Sequence, residues 1–185
     1  MTFRDTISIA LDAVIGRIDI FGALGLVLGF VSGVMPGRVA ILVASAACST
    51  CFGLHFLRLG AGTGAAMCAL SVAQSLAAAR FGGRDRRPAW FAPFFGGCLC
   101  LVLGLTAATW SGWPSACAGT GALLAMRARL QPEAGAMRAS FLAASLAWAG
   151  HNLLVGSAFG LTCDLLTLSG LLLAMGRARP ATAAA

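Results

Sequence analysis

The chain of 185 residues contains no Lys and no Tyr, one Asn, two His and six acidic residues, and only 10% of its side chains are charged. With 59% hydrophobic residues and a mean hydropathy of +0.88 there is too little polarity to cover a globule, which excludes a soluble domain and implies a polytopic membrane protein. The net charge of +7 comes from 13 Arg against six acids. Those Arg lie between apolar stretches without aromatic-basic interleaving, so they report membrane topology and exclude nucleic acid as a partner. The seven Cys are odd in number and all sit in apolar segments, where a thiol behaves as a small hydrophobe, so no disulfide framework is implied. No zinc-protease or phosphate-loop motif occurs, and no Ser or Cys nucleophile with a positioned base is legible, so the chain is not expected to be an enzyme. Cys48, Cys51 and His55 have helical metal-ligand spacing, but thiolates at membrane depth need a tightly bound cation; neither metal nor cofactor is expected.

Against this background polarity is concentrated in Trp148 to Gly160, WAGHNLLVGSAFG, which holds the single Asn, Asn152, beside His151. Four residues later Asp164 stands among apolar neighbours, and an acid at membrane depth is costly unless it faces a bundle interior or a water-filled cavity. The stretch has a twin. A shift of 96 residues lays CFGLHFLRLGAGTGAA, from Cys51, over AWAGHNLLVGSAFGLT, from Ala147, and aligns His55 with His151, Gly60 with Gly156 and Gly64 with Gly160.

Hydropathy and breakers divide the chain as follows. Residues 1–17 repeat apolar side chains at helical spacing with Arg4, Asp5, Ser8 and Asp12 on other faces, as in an interfacial helix retained at the N-terminus. Seven membrane segments follow, about 18–35, 39–59, 63–79, 90–110, 115–125, 137–155 and 159–175, with the fifth short and weak unless it extends to Arg129. The basic stretch Arg80 to Arg87 reads as a water-exposed loop, and 177–185 as a disordered basic tail. Gly25, Gly29 and Gly33, four apart, lay a smooth stripe for helix packing, while Gly60 and Gly156 mark hairpin turns. The same shift maps segments one to three on five to seven, so the fold class is all-α: two parallel three-helix repeats, about 18–80 and 112–176, joined by the loop and linker helix of 81–111, in a 3+1+3 plan. Ten Arg fall on one side of this plan and three on the other, which places the N-terminus outside and the C-terminus in the cytoplasm.

The pair GLHFLRLGAGTGAA and WAGHNLLVGSAFGLTCD resembles the bacterial YgjV-type inner-membrane protein family. That family carries a Gly-x-His-Phe motif at the end of its second helix, and a His-Asn motif, then Gly-Ser, then an acid thirteen positions past the His. Here those places are His55, His151, Asn152, Gly156, Ser157 and Asp164. The resemblance implies the cell inner membrane and a fold rather than an activity. The helix plan is also similar to that of the SWEET sugar and PnuC vitamin transporters, although the Pro-Gln dipeptide of the SWEET and PQ-loop families is absent and Pro36 and Pro132 end helices rather than hinge them.

At 1.5 Å per residue from their turns, His55, His151 and Asp164 share a depth about one to two turns below the outer surface. Parallel repeats would bring His55, Trp148, His151, Asn152 and Asp164 together as a substrate-binding set for a small polar solute, with His151 and Asp164 within hydrogen-bond reach. Two functions follow: a small-solute transporter or facilitator, or a static receptor or assembly subunit whose polar side chains only lock helices. The expected partners are the lipid bilayer and the solute, and the sequence leaves room for a homo-oligomer.

Overall fold

The computed structural model describes residues 19–83 and 87–177; the interfacial helix expected at 1–17 and the tail from residue 178 lie outside the described residues. The described residues form seven helices: α1 Ile20–Val34, α2 Arg38–Arg58, α3 Gly62–Phe81, α4 Phe91–Ala108, α5 Trp113–Leu130, α6 Ala134–Leu154 and α7 Ala158–Arg177. Four of them, α2, α3, α4 and α7, are long and apolar enough to cross a membrane by composition alone, and α1 is apolar but shorter. α5 and α6 are of spanning length, 18 and 21 residues, yet carry Arg127, Arg129, Arg138 and His151, which lower their hydropathy. The fifth segment is thus longer than the expected core of 115–125, because its last turns are held by polar partners inside the protein. Arg80 and Phe81 belong to α3 rather than to the basic loop.

Neighbouring helices close a ring in the order α1, α2, α3, α5, α6, α7 and back to α1. α4 packs outside it on α3 and α5, burying one stripe, Phe91, Phe95, Cys98 and Val102. α1 shows why the ring is tight. Its buried residues are all glycines, Gly22, Gly25, Gly29 and Gly33, while Ile20, Leu24, Val27, Phe30 and Val34 face outward as lipid-covered surface. A Cβ on Gly25 would fall 2.9 Å from the Phe52 ring, and one on Gly121 of α5 would fall 2.8 Å from the Trp148 ring.

The two hairpin turns are built alike. Gly60 and Gly156 both have φ +70°, which only glycine adopts freely. Around them Leu59 N–H donates to His55 O and Ala61 N–H to Phe56 O, as Val155 donates to His151 O and Ser157 to Asn152 O. At the opposite end arginines cap helix C-termini, where backbone carbonyls lack partners. Arg38 donates to Gln131 O, Ala78 O and Arg129 O, Arg138 to Met35 O, and Arg87 to Leu130 O.

Candidate functional site

Inside the ring lies a cavity of about 130 Å³, room for about four waters. Every ring helix contributes to its wall, and α4 does not. The lining comes in pairs 96 positions apart: Cys48 and Ala144, Ser49 and Ser145, Phe52 and Trp148, Phe56 and Asn152, Cys68 and Asp164, Ser71 and Thr167. The aromatic wall is continuous, since Phe56 stacks on Trp148 at 6.1 Å and on Phe52 at 5.9 Å.

Trp148, Asn152 and Asp164 line this one cavity. Asn152 Nδ2 donates to Asp164 Oδ2 at 2.7 Å, an amide of α6 reaching the carboxylate one hairpin away. Because the carboxylate fixes which end of the amide faces it, Asn152 Oδ1 is left buried and without a hydrogen-bond partner. It lies against Gly160, a glycine that also lines the cavity.

The histidines go elsewhere. Neither His55 nor His151 lines the cavity, and Asp164 pairs with Asn152 rather than with His151. His151 Nδ1 faces Pro114 O at 2.9 Å, so it carries the proton, and Nε2 is a buried acceptor with no donor. His55 Nδ1 faces Asp19 Oδ2 at 2.5 Å and Nε2 faces Ser157 Oγ at 2.9 Å. Both rings reach back to the residues that open the first helix of their own half, Asp19 before α1 and Pro114 in the first turn of α5. They also sandwich Phe56, at 5.6 and 5.2 Å between centroids. Asp19 is a residue that sequence reasoning did not single out. It caps α1 through Phe21 N–H at 3.2 Å and pairs with Arg58 at 2.8 Å. Partial burial pushes its carboxyl up, but the hydrogen bonds of His55 and Phe21 N–H and the charges of His55 and Arg58 outweigh this and hold it below the ordinary carboxylate value.

The expectation that no Ser would have a positioned base is corrected by this geometry: Asp19, His55 and Ser157 line up in the order of a hydrolase relay. Ser157 is 1% exposed, however, and its Oγ also accepts Gly160 N–H at 3.0 Å as the N-cap of α7. The wall of the central cavity includes neither Ser157 nor His55. The chain of bonds joins the start of α1, the end of α2 and the start of α7.

The profile of a family described as bacterial inner membrane protein, Imp-YgjV, matches residues 17–181. The chain belongs to that family. It is thus an integral protein of the bacterial inner membrane, in contact with the lipid bilayer through its outward apolar faces. No curated protein and no solved structure matches the chain significantly.

One further residue of the cavity escaped sequence reasoning. Arg129, counted there only among the topological arginines, is 2% exposed and lines the cavity from the last turn of α5. Its Nε donates to Ser75 Oγ at 2.7 Å and its Nη1 to Gln74 Oε1 at 3.1 Å, both on α3, with Phe141 under the guanidinium at 5.8 Å. The signal was available: Arg127 and Arg129 are two apart on one helix, so they cannot share a face, and only one of them can point away from the bundle. No group of His, Cys, Asp or Glu fit to hold a metal ion occurs among the described residues.

Proposed function

We propose that this inner membrane protein is a small-solute transporter or facilitator, and that the central cavity is its solute site. The observation that carries the reading is the pairing of the cavity wall at a spacing of 96 residues, with every ring helix contributing. Such pairing is what two parallel three-helix repeats produce around an axis along the membrane normal, and transporters built from repeats hold their substrate at the repeat interface. Rocking of one repeat against the other across the α1–α7 and α3–α5 seams gives alternating access. The glycine stripe of α1, Gly25, Gly29 and Gly33, supplies one smooth seam. The ring of helix-capping arginines, Arg38, Arg87 and Arg138, supports a cytoplasmic location for that end and, with seven spans, an external N-terminus.

Asp164 is in this reading the residue that couples solute to proton or orients it, through Asn152 rather than through His151. The two histidines and Ser157 are structural ties between helices, and the chain catalyses no reaction. The same ties favour the second reading, a static receptor or assembly subunit, because they use buried polarity for locking alone. The test is a thermal-shift screen of the purified full chain against small polar metabolites, with Ser49→Leu as a cavity-filling control. Solutes that stabilise the wild type and not the control support transport. Absence of any solute-dependent shift sinks the proposal and leaves the static reading.

A further inference from the structure

The cavity holds opposite chemistry at its two ends. Near the hairpin turns it offers an acceptor, the Asp164 carboxylate, held by the Asn152 amide. Near the arginine-capped end it offers a donor, the Arg129 guanidinium, whose neighbours Ser75 and Gln74 are neutral. Among the described residues Arg129 has no ion-pair partner, and Asp164 has none either. A guanidinium stays charged in proteins, and an uncompensated charge in a water-poor interior is costly, so a partner is expected from outside the chain.

The separation of the two ends sets the size of that partner. Ser75, which Arg129 touches, lies seven residues along α3 from Cys68, the position matching Asp164. Seven residues correspond to about 10 Å of height. Two charge-assisted hydrogen bonds of about 2.8 Å each leave about 4 Å between the partner's own polar ends. The rest of the wall is aromatic and small-hydroxyl in character, with Phe52, Phe56 and Trp148 beside Ser45, Ser71 and Thr167 in the lining, which suits a short aliphatic body.

We infer that the cavity recognises a small zwitterion with a carboxylate held by Arg129 and an ammonium held by Asp164, a compound on the scale of an α- to γ-amino acid. The inference rests on the solute-site reading above and names its substrate class. The two halves of the protein are not equivalent toward such a solute. Positions 33 and 68, which match Arg129 and Asp164 in the first half, are Gly33 and Cys68, so both charges come from the second half and the solute has one orientation.

The test uses the full chain in nanodiscs, titrated with glycine, L-alanine, β-alanine and γ-aminobutyrate, and separately with propionate, propylamine and glycerol, each followed by thermal shift and calorimetry. At least one of the zwitterions is expected to bind at least about tenfold more tightly than the mono-charged and neutral probes, since each charged hydrogen bond lost costs that much. Arg129→Gln should abolish the preference for a carboxylate and Asp164→Asn the preference for an ammonium. Because Arg129→Gln is a core change that can fail to fold, Arg129→Lys, which keeps the charge, and the wild-type probe series decide the matter without it. Glycerol or propylamine binding as well as the best zwitterion overturns the inference and leaves the solute site standing. Stabilisation only by phosphatidylglycerol in the disc identifies a lipid headgroup as the anion and overturns it too. No shift with any probe, here or in the wider metabolite screen, removes the solute site itself.

Discussion

Ala61→Ser is expected to stabilise the protein, and the size of the gain follows from comparing its two hairpins. Ser157 opens α7 with two hydrogen bonds, accepting Gly160 N–H and meeting His55 Nε2. The matching residue before α3 is Ala61, which gives that helix no side-chain cap, and the matching imidazole nitrogen, His151 Nε2, is buried without a partner. A Cβ on Gly64 would fall 2.7 Å from His151 Nε2, so that nitrogen stands against the first turn of α3, the turn that position 61 opens. The polarity also matches. His151 keeps its proton on Nδ1 for Pro114 O, so a Ser hydroxyl would donate to Nε2 while its oxygen accepts Gly64 N–H. A cap contributes about 1 kcal/mol, and satisfying a buried acceptor about 1 to 2 kcal/mol more. At about 2–4 °C per kcal/mol for a chain of this length, the midpoint of thermal unfolding in detergent should rise by about 4–12 °C. The double variant Ala61→Ser with His151→Leu should keep only the cap's share of the gain. A midpoint that does not rise, or a gain that is the same with and without the imidazole, refutes the reasoning.

The mirror change, Ser157→Ala, should lower the midpoint by a similar amount, and a fluorophosphonate probe should leave Ser157 of the wild type unlabelled; labelling would mean that Asp19, His55 and Ser157 act as a relay after all. Gly29→Val places a side chain against Cys163 Sγ and should cost about 1–3 kcal/mol or more of stability in the same assay, whereas Gly37→Val, with open space around it, should unfold close to wild type. Because the Asp19 carboxyl is held below its ordinary value, its contribution to stability is complete above that value and lost as pH falls through the lowered one; stability should drop on acidification below about pH 4, and Asp19→Asn should flatten that part of the profile. Reporter fusions after Arg179 should read as cytoplasmic and fusions before Thr2 as external, and finding both ends on one side would remove the seven-span topology.

Much of the fold was legible because membrane helices must satisfy their backbone internally and be apolar for about 20 residues, so hydropathy, Pro36, Pro132 and the turn glycines Gly60 and Gly156 marked the helices directly. The alignment of His55 with His151 was legible as well, since identical turns reuse identical residues. It did not reveal what each imidazole bonds. Whether His151 meets Asp164 or Pro114 depends on which way two helix faces are rotated, and a rotation of one residue, about 100°, changes the partner. The same holds for Asp19, Ser157 and Arg129. Asp19 meets its partners when α1 packs on α2, whereas Ser157 and Arg129 are brought to theirs only when the ring closes, through α7 onto the first half and through α5 on α3. Arg129 marks the limit most sharply: by composition it was one more arginine at a helix end, and only the packing of α5 against α3, with Ser75 and Gln74 waiting beneath it, turned it inward. Composition and periodicity fix which residues can be buried at all, whereas the partner of a buried polar group is set by the geometry of helices that meet late in the chain.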